Sequence, residues 1–198
     1  MADVVLFHHV LGLTDGVVAL ADDLRSHGHE VHTPDLFGGQ TFGSIDEGAS
    51  HVDAVGISNV IDRGVAAVSD LPSRLVYVGI SLGVLPAQHL AQTRSGAAGA
   101  VLMEACVPPE TFGDGWPAGV PLQVHGMDAD PFFAGEGDLA AARDLVAQLG
   151  DDLAQLFTYA GDRHLFVDRS VPAHDPESHE LVVERVVAFL DRIDAGQG

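Results

Sequence analysis

A single cysteine, Cys106, in 198 residues rules out an internal disulfide and leaves the redox compartment unconstrained. Cys106 follows an apolar run and reads as a buried small hydrophobe. Basic residues are also scarce: nine Lys and Arg stand against 29 Asp and Glu, a formal charge of −20. Nucleic acid and anionic membrane both demand a basic surface, so neither is expected as a partner. No apolar run approaches the roughly 20 residues that cross a bilayer. The first residues, with Asp3 placed at once and no basic stretch, do not read as a signal peptide. These deficits lead to the expectation of a soluble, cytoplasmic protein. No internal repeat and no linker interrupts the chain, and its length suits one domain over residues 1–198. The hydrophobic fraction of 46% suffices for a packed core and excludes general disorder.

What is present centres on residues 75–93. Leu75-Val76-Tyr77-Val78 is an apolar, β-rich run, Gly79-Ile80-Ser81-Leu82-Gly83 is Gly-x-Ser-x-Gly, and a small-residue helical stretch runs from Leu82 to about Thr93. A strand, this pentapeptide and a helix, in that order, make the nucleophile elbow of α/β-hydrolases. Gly79 and Gly83 lack Cβ atoms, so strand and helix can close around a serine held in a strained backbone conformation. The helix N-terminus directs free N–H groups and positive dipole toward any anion formed on Ser81.

The rest of the chain alternates strands and helices. Val4–Phe7 is suited to a strand buried on both faces. Thr14 or Asp15 can cap a helix to about His27, where Gly28 stops it. Glu30–Thr33 is a short strand closed by the turn-rich Pro34-Asp35-Leu36-Phe37-Gly38-Gly39. Residues 41–50 read as loop, and a helix is expected from Val52 to about Ser69. Further strands are expected at Gly99–Met103, Pro121–Gly126 and Leu153–Tyr159, with helices at Leu139–Leu149 and Pro176–Ile193. This alternation predicts an α/β fold, a mostly parallel sheet with helices on both faces. Active sites in such sheets lie at the carboxyl ends of strands, so His8, Ser81, residues 125–130 and His164 are expected on one rim.

Serine needs a base within hydrogen-bond reach, and the base needs a third group to orient it. In α/β-hydrolases the acid follows the serine and the histidine comes last. His164, after the final strand, is the candidate base. Asp128 and Asp130 both have the position of the acid; Asp130 precedes Pro131, which fixes its backbone, and is preferred. Oxyanion donors are expected at the N–H groups of Leu82 and, in the loop after the first strand, Val10. His9, Phe37, Trp116 and Phe132, with Phe133, are candidates for pocket walls, the alternative for the four aromatics being a mixture of core and surface positions; His9 either lines the pocket beside Ser81 or fills space in its loop. No spaced His/Cys/Asp set supports zinc, and no phosphate-binding glycine loop is present, so neither metal nor cofactor is expected.

Segments in matching order resemble the dienelactone hydrolase family. His8-His9-Val10-Leu11-Gly12 is similar to the family's loop after its first core strand, and Pro34-Asp35-Leu36-Phe37 to its "PDLY" segment. Gly79–Gly83 matches the elbow, residues 125–132 can be laid on "H-x-G-x-x-D-x-F", and residues 159–166 resemble "Y-x-G-x-x-H-x-F". The resemblance spans almost the whole chain and supports Asp130. Dienelactone hydrolases proper use a cysteine nucleophile, a thiol-tuning glutamate and carboxylate-binding arginines. Here Ser81 stands at the nucleophile, His9 at the glutamate, and no arginine fits. The resemblance therefore implies a relative with a serine triad, not a dienelactone hydrolase proper; the chain has little spare length for a lid domain, so a shallow pocket and a small-molecule ester or lactone substrate are expected. A thioester or amide hydrolase of the same fold, or a non-catalytic binding member, is the alternative.

Overall fold

Six short strands form one all-parallel sheet in the computed structural model, which describes residues 1–196. The strands are β1 (Asp3–Phe7), β2 (Glu30–His32), β3 (Val76–Ile80), β4 (Gly99–Met103), β5 (Leu122–Met127) and β6 (Ala154–Tyr159). Their spatial order is β2-β1-β3-β4-β5-β6. Every residue of β3, β4 and β5 is buried, which is why β3 and β4 read as continuous apolar runs; β5 buries Gln123 and His125 between its apolar residues. Six α-helices connect them: α1 (Asp15–Ser26), α2 (Ile45–Val55), α3 (Ile57–Ala67), α4 (Val84–Thr93), α5 (Asp138–Leu149) and α6 (Pro176–Ala195). This is an α/β-hydrolase fold.

The β1-to-β2 connection runs one way along the sheet and the later ones run the other way. Right-handed crossovers therefore put α1 on the face opposite α3 and α4. In keeping with that, α1 packs on α6, and α3 packs on α4. The direction reverses between β1 and β3, and the crevice at the carboxyl ends of these two strands is where such a sheet binds ligands. Among the described residues, no helix is long and apolar enough to cross a membrane.

Two expectations need correction. Residues 41–50 are not all loop, because α2 begins at Ile45. Ser44 accepts the Glu47 N–H, and the Glu47 carboxylate turns back to the Gly43 N–H, a reciprocal cap that starts the helix. The helix expected from Val52 to Ser69 is instead two helices, broken where Gly56 takes φ 88°.

Candidate active site

β3 delivers Ser81 into a left-handed conformation (φ 50°), followed by a tight 3-10 turn over Ser81–Gly83 and then α4. The local sequence allows nothing bulkier around it. A Cβ on Gly79 would sit 2.3 Å from the Gly83 carbonyl oxygen, and one on Gly83 would sit 2.3 Å from that of Phe7. Ser81 is half-buried, and its Oγ lies 2.9 Å from His164 Nε2.

His164 Nδ1 is 2.7 Å from Asp130 Oδ2. Asp130 is fully buried, and its Oδ1 accepts the Phe132 N–H at 2.8 Å. The loops bearing these two residues are laced together: Asp128 N–H donates to the Tyr159 carbonyl, Ala129 N–H to that of Gly161, and Gly161 N–H to Asp128 Oδ1. Asp128 is thus an exposed loop carboxylate and Asp130 the partner of His164. Burial acts to lower the His164 pKa. The Asp130 hydrogen bond and the charges of Glu104, Asp130 and Asp138 outweigh burial, leaving the imidazole above its ordinary value. Phe132 lies over it with ring centroids 4.6 Å apart.

The end of β1 abuts the elbow, where a Cβ on Gly83 would also meet the His8 carbonyl oxygen at 2.6 Å. Among the described residues nothing accepts a hydrogen bond from the Val10 N–H. The loop is held in place elsewhere: Gly12 N–H donates to the His9 carbonyl and Phe42 N–H to that of Leu11, each at 3.0 Å. The Leu82 N–H occupies the first turn after Ser81, where N–H groups lack intrahelical partners. The His9 side chain is fully buried with both ring nitrogens engaged: Nδ1 accepts the Leu11 N–H, and Nε2 donates to Asp168 Oδ2 at 2.7 Å. His9 is neither a pocket wall nor a mere filler.

Other candidates lie elsewhere. His125 is not on the rim, because β5 continues to Met127. The ring is buried, 2.9 Å from the Tyr159 hydroxyl and stacked on Phe157. His8 is buried and accepts the Leu36 N–H, and Phe37 packs in the same cluster against His8 and His51. Trp116 donates its indole N–H to the Val120 carbonyl, and Gln92 at the far end of α4 reaches the neighbouring Gly115. That is the opposite end of the sheet from Ser81. Phe133 is core, packed against Gly126. Of the proposed walls, only Phe132 meets the Ser81 group.

Two buried carboxylates beside the site escaped the sequence reading. Glu104 closes β4, and Asp168 lies in the loop after His164. A carboxylate directly after a strand was the available signal for Glu104. Among the described residues no group of three or more His, Cys, Asp or Glu is placed to hold a metal ion.

The model of the dienelactone hydrolase family matches residues 1–194. No curated protein matches the sequence. Among solved structures, a dienelactone hydrolase-like promiscuous phosphotriesterase from metagenomic libraries superposes with TM-score 0.71 at 19% identity, over 98% of this chain and 87% of that one. Mouse alpha/beta hydrolase domain-containing protein 10 gives 0.67 at 14% identity, covering 96% and 90%. A pyrethroid hydrolase gives 0.61 at 16% identity, covering 96% and 98%.

Proposed function

The chain belongs to the dienelactone hydrolase family, and from that premise we propose that it hydrolyses small carboxylic esters or lactones through an acyl-enzyme on Ser81. The observation that carries this reading is the continuous chain from Ser81 Oγ through His164 to buried Asp130. Ser81 Oγ attacks the substrate carbonyl while His164 Nε2 takes its proton. Asp130 fixes the tautomer that leaves Nε2 free to accept, and its charge stabilises the imidazolium that forms. The N–H groups of Val10 and Leu82 hold the tetrahedral oxyanion. As the intermediate collapses, His164 returns the proton to the departing alkoxide, and the ester bond breaks. Water, deprotonated by His164, then attacks the acyl-enzyme and releases the acid with Ser81 regenerated. Phe132, against His164, forms one wall of the substrate's berth.

The test is covalent labelling with a fluorophosphonate, the modified residue being mapped by mass spectrometry. Stoichiometric label on Ser81, absent from Ser81→Ala and His164→Ala, is expected. An unlabelled protein, or label indifferent to His164→Ala, would leave a binding protein of the same fold. A panel of p-nitrophenyl esters, lactones, thioesters and anilides then fixes the bond cleaved, with the first two expected to turn over fastest.

A further inference from the structure

Glu104 stands at the end of β4 on the same rim as Ser81, and the reaction just described does not use it. Its side chain is buried at 1% exposure. Oε2 accepts the Leu165 N–H at 2.9 Å, and Oε1 has no partner among the described residues. Three non-glycine positions of the described chain have positive φ: Ser81 at 50°, Glu104 at 64° and Leu165 at 65°. Left-handed backbone is unfavourable for residues bearing a Cβ and persists where the surroundings over-determine it, often at active sites. Here one hydrogen bond joins two of the three, and the second of them directly follows His164.

A purely structural acceptor for the Leu165 N–H needs no charge, and burying a carboxyl with one oxygen unpaired is costly. The groups that act on Glu104 suggest what the charge does. His164 faces it from the loop after β6 and Asp130 from the loop after β5; Asp138, at the head of α5, faces His164 as a third carboxyl. The neighbouring Arg163 sends its guanidinium outward to the His174 carbonyl and Asp175, away from this cluster.

We propose that Glu104 is a positioning residue of the catalytic relay, a second carboxyl behind His164 that holds its left-handed turn and, with Asp130, sets the basicity of the imidazole. The inference rests on the Ser81 and His164 roles given above. When His164 takes the serine proton, the imidazolium forms in a water-poor site, where a second negative charge counts for more than in solvent. Burial, with the Asp130 charge adding to it, pushes the Glu104 carboxyl up to about 7 against the pull of His164 and of the Leu165 and Phe166 backbone N–H groups. The unpaired Oε1 is the oxygen open to the proton. As pH falls through neutrality Glu104 becomes neutral, and its support for the imidazolium is withdrawn. Glu104 and His164 therefore titrate as a coupled unit.

Glu104→Gln keeps an acceptor for Leu165 and removes the charge. Fluorophosphonate labelling rates are measured against pH for the wild type and for this variant. The acid limb is expected to move to lower pH in Glu104→Gln. The plateau rate should fall about tenfold, the equivalent of one pKa unit of imidazolium stability. Coincident profiles in a variant with a lowered melting temperature would reduce Glu104 to a structural acceptor and overturn the inference while leaving the serine mechanism intact. An unlabelled wild type would instead overturn the Ser81 reading, and this inference with it. Should Glu104→Gln not fold, the His164 ring in the wild type is titrated by NMR. Two coupled steps support the inference; a single step overturns it.

Discussion

His9 Nε2 and Asp168 Oδ2 meet at 2.7 Å across 159 residues of chain, with both side chains fully buried. The contact joins the loop after β1, which carries Val10, to the loop after β6, which carries His164. Asp168 also accepts from the Thr14 hydroxyl at 2.6 Å and from the Ser170 N–H and hydroxyl. Burial alone would raise this carboxyl. The bonds from His9, Ser170 and Thr14 outweigh it and hold the group well below the usual carboxylate range. The candidate oxyanion donor and the candidate base are thus referenced to one another through an anchor that stays ionised through mild acid.

Asp168→Ala leaves the donors of His9, Thr14 and Ser170 without their acceptor. A loss of about 3 kcal/mol in urea unfolding at neutral pH is expected, the scale of a broken buried pair. The folded pKa is depressed, so the contribution is present above the unfolded carboxylate pKa and is lost as pH falls through the folded one. The gap between wild type and variant should therefore persist through mild acid and close only in strong acid. A gap that closes near neutrality would place the stabilisation on a different group. The labelling rate of Ser81 should fall as well, since Val10 loses its reference to His164.

Asp130→Asn should lower kcat by roughly a thousandfold or more, because an amide no longer fixes the tautomer or balances the imidazolium. Asp128→Asn, at an exposed position whose Oδ1 the amide oxygen can replace as acceptor for the Gly161 N–H, should turn over substrate like the wild type. Steady-state kinetics on whichever p-nitrophenyl ester proves active would decide it. Equal losses in the two variants would contradict the assignment.

β3 and β4 were legible because they are buried on both faces, and the other site-bearing elements because strands and helices follow one another in alternation. β3, Gly-x-Ser-x-Gly and α4 are adjacent in sequence, so their geometry is local. α2 was hidden by its own composition: Gly48 and a polar first turn mask the periodicity, although Ser44 and Glu47 stand at capping-box spacing. His125 was misplaced because β5 runs one residue further than its apolar pattern indicated, carrying the ring into the interior. Phe37 is buried against His8 and His51 and Trp116 lies at the far end of the sheet, and an aromatic residue's identity alone encodes neither placement. The His9–Asp168 and Glu104–Leu165 contacts span 159 and 61 positions, and no local spacing encodes either.

His125 should make stability pH-dependent. Burial, with the Arg185 charge adding to it, lowers this imidazole from 6.5 to about 3. Between those values the unfolded chain binds a proton that the folded state refuses. Stability is then full above the unfolded pKa and falls with pH at about 1.4 kcal/mol per unit. His8, lowered by burial to about 4, acts in the same sense. Glu104, raised to about 7, acts in the opposite sense, since there the folded state binds the extra proton. His125→Gln removes one of these contributions, so its urea stability should vary less steeply below pH 6.5 by about 1.4 kcal/mol per unit. Parallel slopes for wild type and variant would mean that His125 is protonated inside the fold.

Gly48→Ala sets two effects of opposite sign against each other at the oxyanion loop. Gly48 lies inside α2, where alanine gains about 1 kcal/mol of helix propensity. The added Cβ would stand 2.2 Å from the Val10 carbonyl oxygen and 2.9 Å from its carbon. Both are backbone atoms of a loop already tied down by His9, Gly12 and Phe42, so neither can swing aside as a side-chain tip would. Overpacking of this kind costs about 1–3 kcal/mol, which exceeds or cancels the propensity gain. The displaced Val10 should also lower the labelling rate of Ser81 by about tenfold, part of the 100- to 1,000-fold lost with a missing oxyanion donor. Thermal melts and labelling rates read the two effects separately. A variant that is more stable and labels at the wild-type rate would show that the loop yields without consequence, and the oxyanion role of Val10 would have to be given up.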